Sequence, residues 1–113
     1  MNQSVWENVG QLRPRELAER LKQPEMPLLV DVREPEEWQF CRIAGAVHLP
    51  MDQLAQRLNE LDREREVVIY CHHGIRSQIA AQFLSRQGFK RISNLVGGID
   101  AWSVQVDPTI QRY

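Results

Sequence analysis

The segment Cys71-His72-His73-Gly74-Ile75-Arg76-Ser77 brings together a thiol, two imidazoles, a guanidinium, a hydroxyl and a glycine. The thiolate is the form of cysteine that attacks, and nearby positive potential favours it. The run Val67-Val68-Ile69-Tyr70 just before it reads as a buried strand, and the pattern after it reads as a helix capped by Ser77. A short loop between a strand and a helix curls so that several backbone N–H groups face its centre. Gly74 supplies the positive φ that such a curl needs. The helix N-terminus adds about half a positive charge. Arg76, with His72 and His73, adds charge at the rim. A cradle of this kind also suits a persulfide anion or an incoming oxyanion. The chemistry is nucleophilic catalysis in which electrostatics stand in for a general base. The bland alternative is that Cys71 is a small buried hydrophobe closing a strand. The order strand, Cys, Gly, Arg, Ser, helix favours the reactive reading.

The elements around this loop alternate. Leu28-Leu29-Val30-Asp31-Val32 is a second unbroken apolar run, and Ala46–Leu49 and Arg91–Leu95 are weaker strand candidates. Val5–Val9 is the candidate edge strand. Apolar runs without alternation suit strands covered on both faces, as in a parallel sheet. Helices are expected after Pro14 (inner face Leu17, Ala18, Leu21) and, briefly, after Pro35, with Glu36 and Glu37 at its positive end. A third is expected after Asp52 (Leu54, Leu58, Leu61), and a fourth after Ser77 (Ile79, Ala80, Phe83, Leu84 inward), with Gly88 past its end. Helices between buried strands give an α/β fold. Ligands in such folds bind beyond the carboxyl ends of the strands, which places Asp31-Val32-Arg33 and the Cys71 loop at the functional edge.

The 113 residues suit one domain, with a core over about 5–102 and a C-terminal tail over 103–113. A formal net charge of -1 provides no global field to draw nucleic acid or an anionic membrane, so any anion site must be local. No apolar stretch is long enough to span a bilayer. The start of the chain lacks the basic-then-apolar order of a secretory signal. The two cysteines, Cys41 and Cys71, form neither a disulfide scaffold nor a zinc ligand set, and a reducing, cytoplasmic setting is expected. No cofactor or metal is expected, nor a second domain.

Three separated segments resemble the rhodanese family across nearly the whole chain. They are Leu29-Val30-Asp31-Val32-Arg33-Glu34-Pro35-Glu36-Glu37-Trp38, Val68-Ile69-Tyr70-Cys71-His72-His73-Gly74-Ile75-Arg76-Ser77 and Leu95-Val96-Gly97-Gly98-Ile99-Asp100-Ala101-Trp102. The family's catalytic cysteine falls on Cys71. The resemblance implies a five-stranded parallel sheet flanked by helices on both faces. It also implies transfer of a sulfane sulfur, through a Cys71 persulfide, from a thiosulfate-like donor to a thiophilic acceptor. The substrate-binding residues would be His72, His73, Gly74, Ile75, Arg76 and Ser77. A narrower likeness lies in Phe40-Cys41-Arg42-Ile43 and in Val106–Tyr113. These resemble the rhodanese domain fused to enzymes that activate ubiquitin-like proteins and molybdopterin synthase, and suggest a protein acceptor. A monomer or weak dimer is expected. The rival classes are a non-catalytic sulfur carrier serving one partner, and a redox or sulfide sensor using both cysteines.

Several residues admit two readings. Arg76 follows Cys71 by five positions, whereas related phosphatases place the arginine six positions on, in a larger loop that wraps phosphate. The smaller ring suits a persulfide sulfur better. Arg76 is read as orienting an anion rather than as a solvated charge. His72 and His73 are adjacent and expected to point apart, one toward solvent or substrate and one packed, which argues against a metal pair. His48 is read as a structural histidine and Cys41 as a free thiol away from Cys71. Asp31 and Arg33 are read as a pair bracing the loops. Gly97-Gly98 is read as a tight turn, and Trp38 and Trp102 as core or tail-docking groups.

Overall fold

Val67–Tyr70 and the first three residues of Leu28–Asp31 are apolar at consecutive positions, and such strands are stable only with both faces covered. The computed structural model, which describes residues 8–113, covers both. The strands are β1 (Val9–Leu12), β2 (Leu28–Asp31), β3 (Val47–His48), β4 (Val67–Tyr70) and β5 (Ile92–Leu95). They form one parallel sheet in the order β1-β5-β4-β2-β3. The helices are α1 (Pro14–Arg20), α2 (Pro35–Phe40), α3 (Ile75–Arg86) and α4 (Gly98–Gln105). The sheet splits the core in two. Val30, Val67, Ile69 and Ile92 meet Ala80, Ala81 and Leu84 of α3 on one face. Leu29, Val68, Tyr70 and Leu95 meet Leu17 of α1 and Ile99 and Trp102 of α4 on the other. Each fully buried Val or Leu contributes about 1.5–3 kcal/mol, which makes these two layers the main support of the site.

The strand order places the site. After β2 the chain crosses to β3 on one side, and after β4 it crosses to β5 on the other. The two connections diverge, leaving a crevice at the carboxyl ends of β2 and β4. This is the topological switch point at which open α/β sheets bind ligands. Arg33 and α2 leave from one wall, and Cys71 and α3 leave from the other.

Four expectations need correction. The edge strand is Val9–Leu12; Val5–Glu7 lie outside the described residues. The segment after Asp52 forms two 3-10 turns, Met51–Gln53 and Leu58–Glu60, rather than one helix. Arg57 sits near the bridge region at φ -106, ψ 12, breaking the continuity, yet Leu54, Leu58 and Leu61 are all buried as expected. Ser77 does not cap α3. Gly74, at φ +101, turns the chain directly into Ile75, and Ser77 lies within the first turn. The buried face of α3 is consequently Ser77, Ala80, Ala81 and Leu84, while Ile79 is exposed and Phe83 half-buried. Counting a polar Ser77 as inward rotates the helix away from the face its apolar residues suggest.

Candidate active site

Cys71 directly follows β4 and is 1% exposed. Its sulfur accepts the backbone N–H of Gly74 at 3.1 Å and that of Ser77 at 3.3 Å, with the Ser77 hydroxyl a further 3.3 Å away. The first-turn N–H groups of a helix lack intrahelical partners and seek an acceptor. The acceptor here is the sulfur, which takes the place that a capping side chain usually fills. Two backbone donors, and a hydroxyl that can add a third, meet this atom at the N-terminal end of α3.

A second tier holds these donors. Asn94 of β5, 4% exposed, accepts the Ser77 hydroxyl at 2.5 Å through Oδ1. Its Nδ2 donates to the Gly74 carbonyl at 3.2 Å and to Gln11 Oε1 at 3.3 Å. The Ser77 hydroxyl has one proton and donates it either to Asn94 or to the sulfur. From the other side, the start of α4 grips the loop. Ile99 N–H donates to the Cys71 carbonyl at 2.9 Å and Asp100 N–H to the His72 carbonyl at 3.1 Å. Gly98 makes this approach possible. It sits at φ +62, and a Cβ there would lie 2.5 Å from the Cys71 carbonyl oxygen and also against the carbonyl of His72.

Arg76 stands at the mouth but is not free. Its guanidinium forms a bidentate pair with Glu37 of α2 at 2.8 and 3.0 Å, bridging the two walls of the crevice. The Glu37 carboxylate also accepts the Glu34 N–H at 3.0 Å and the Tyr113 hydroxyl at 2.6 Å. Burial opposes its ionisation, but the bonds from Arg76, Tyr113 and Glu34 outweigh it and bring its pKa down to about 2. The pair with Glu37 likewise raises the pKa of Arg76. An anionic ligand reaches Arg76 only in competition with Glu37.

Asp31 and Arg33, fully buried, form a fork in which Arg33 Nη2 meets Asp31 Oδ2 at 2.7 Å and Nε spans both oxygens. Arg33 also donates to the Cys41 carbonyl at 2.6 Å and to the Tyr113 hydroxyl at 2.8 Å. Burial alone would lower its pKa; Asp31 and Tyr113 reverse that and raise it. The pair ties the β2 exit to the turn after α2 and to the tail. Cys41 Sγ lies 3.9 Å from Arg33 Nη1, at the edge of this network.

The two histidines divide as expected, one packed and one exposed, but they do not point apart. Their rings stack at 3.8 Å, and with Asp100 they place three ligand-type atoms within 4.8 Å of one another. Arg112 already neutralises Asp100, at 2.8 and 3.2 Å, and His72 Nε2 meets the Tyr113 backbone oxygen at 2.9 Å. Burial, and then His73, lower the pKa of His72. Ile75 is 73% exposed beside the loop. His48 bonds the Arg33 carbonyl at 2.8 Å and stacks on Trp38, while Trp102 is buried with the tail residue Ile110 against its cluster.

Asn94, Glu37, Gly98 and Tyr113 are site residues that the sequence does not mark as such. Asn94 left a trace, a polar residue inside a buried strand one step from its carboxyl end. Glu37 was legible only as a helix-dipole charge. Tyr113 figures in the sequence only within the Val106–Tyr113 likeness, which assigns it no place at the site.

A Rhodanese-like domain family model matches residues 13–105. A protein named Sulfurtransferase from Allochromatium vinosum is 42% identical over 95 residues, which is 84% of this chain and 89% of that protein. Thiosulfate sulfurtransferase GlpE of Coxiella burnetii is 41% identical over 75 residues, covering 66% of this chain and 70% of its own length. The crystal structure of a Rhodanese-like domain protein from Staphylococcus aureus superposes with a TM-score of 0.80 at 28% identity, over 93% of this chain and 99% of that one. With the five-stranded parallel sheet and a cysteine cradled at the switch point, this chain belongs to the rhodanese-like family.

Proposed function

We propose that this chain is a sulfurtransferase that carries a sulfane sulfur on Cys71. The observation behind this reading is the convergence of the Gly74 and Ser77 N–H groups and the Ser77 hydroxyl on one sulfur at a helix N-terminus. Those donors fit a thiolate and would fit the terminal sulfur of a persulfide. With thiosulfate as donor, the Cys71 thiolate attacks the outer sulfur. A new S–S bond forms, the bond to the sulfonate sulfur breaks, and sulfite leaves with the bonding pair. Cys71 then bears a persulfide anion. A nucleophile (cyanide in vitro, a thiol or a protein acceptor in the cell) attacks the terminal sulfur and returns the thiolate. This is a ping-pong scheme that needs no cofactor. His72, His73 and Ile75 border the mouth where the donor enters, and Arg76 draws the anion in as it loosens from Glu37. The two unpaired thiols suit a reducing compartment, the cytoplasm.

The test is steady-state transfer from thiosulfate to cyanide. Parallel initial-rate lines and loss of activity in Cys71→Ser are expected. Full activity in that variant would overturn the reading. Single transfer to one partner without turnover would favour the carrier alternative.

A further inference from the structure

Residues 107–113 belong neither to the sheet nor to its covering helices, yet they are held down. Ile110 packs against the cluster containing Trp102, and Arg112 pairs with Asp100. The Tyr113 ring lies flat on His72 at 3.8 Å and 5° and meets Phe40 edge-on at 5.7 Å. Its hydroxyl donates to Glu37 Oε2 at 2.6 Å and accepts from Arg33 Nη1 at 2.8 Å. The tail packs on His72, Ile99, Asp100 and Ser103 with no water-sized void beneath it. Cys71 is 1% exposed as a residue, so what lies at the rim governs how a donor meets it. The loop itself is bonded to β5 and α4 through Asn94, Ile99 and Asp100. The tail residues are themselves half-buried to exposed and are tied by the Tyr113 and Arg112 side chains, by Ile110 and by the His72 bond to the Tyr113 backbone oxygen; a segment held by so few contacts opens at low free-energy cost.

We propose that 107–113 is a strap across the mouth of the Cys71 cradle and that Tyr113 is its latch. A sulfur donor or acceptor reaches Cys71 when Tyr113 leaves the slot between His72, Phe40, Glu37 and Arg33. This rests on Cys71 being the sulfur-bearing residue. Opening also leaves Arg76 as the remaining side-chain donor to Glu37 Oε2, so the strap and the Arg76–Glu37 pair share one carboxylate.

The experiment is alkylation of Cys71 in the full chain, with the site assigned by peptide mass spectrometry so that Cys41 is counted separately. Iodoacetamide and a bulkier maleimide are compared on the wild type, Tyr113→Phe, Tyr113→Ala and Arg112→Gln. The expected result is a rate rise of about tenfold in Tyr113→Ala, about 1.4 kcal/mol. Smaller rises are expected in the other two variants, and a larger effect for the maleimide than for iodoacetamide. Unchanged rates, or equal acceleration of both reagents, would overturn the strap. Arg112→Gln keeps the test valid should Tyr113→Ala fold poorly, since it weakens the strap without entering the slot. Sulfur uptake from thiosulfate is measured on the same set. Faster alkylation with no uptake anywhere would leave the strap standing and sink the transfer reading. Uptake with unchanged alkylation would do the reverse.

Discussion

At the scale of single residues, chemistry and support separate cleanly. Cys71→Ser is expected to abolish thiosulfate-to-cyanide transfer, while Cys41→Ser keeps most of it, because the Cys41 sulfur sits beside Arg33, at the edge of the bracing network. Initial rates of the two variants check this, and equal loss would make Cys41 a participant. Ser77→Ala removes a hydroxyl from both the sulfur and Asn94. It leaves Asn94 Oδ1 buried without that donor, a loss of about 1–3 kcal/mol that urea unfolding measures. Arg76→Ala is expected to raise KM for thiosulfate more than for a neutral donor. Equal effects on both donors would assign Arg76 solely to holding Glu37. The sequence shows Cys71 and Gly74 plainly because a strand, a thiol and a glycine stand in line. It conceals Glu37 because its partner Arg76 is distant in the chain and only the fold joins them.

At the scale of elements, the loop works because three of them converge on it. The start of α3 points its N–H groups at the sulfur, β5 supplies Asn94, and the start of α4 holds the Cys71 and His72 carbonyls. Gly98→Ala would press a methyl group against both carbonyls at a positive φ. A loss of about 1–3 kcal/mol is expected, with transfer activity falling alongside, and thermal unfolding checks it. Wild-type stability would show that the α4 contact with the loop is dispensable. The parallel sheet was legible in the unbroken apolar runs of β2 and β4. The rotation of α3 was not, since its inward face includes Ser77, whose burial depends on the sulfur and on Asn94. The two 3-10 turns and a single helix leave the same sequence pattern, because both bury Leu54, Leu58 and Leu61.

At the scale of the whole molecule, the Arg76–Glu37 pair joins the two walls of the crevice, and its contribution depends on pH. The Glu37 pKa of about 2 lies below its ordinary value of 4.5. The pair's stabilisation is therefore complete above the ordinary value and is lost as pH falls toward 2. With Arg76 about a third exposed and solvent screening allowed for, the loss is about 1–2 kcal/mol. Unfolding measured from pH 5 down to about 2 should show a stability decrement that Glu37→Gln lacks. The tail crosses the same crevice, so support and access are governed from one place. All of this serves a single sulfur atom. Its most direct test is intact-mass and peptide mass spectrometry after thiosulfate treatment. One added sulfur on Cys71, removed by cyanide, is the predicted result; a Cys71 peptide that stays unmodified while the protein is folded would contradict the account.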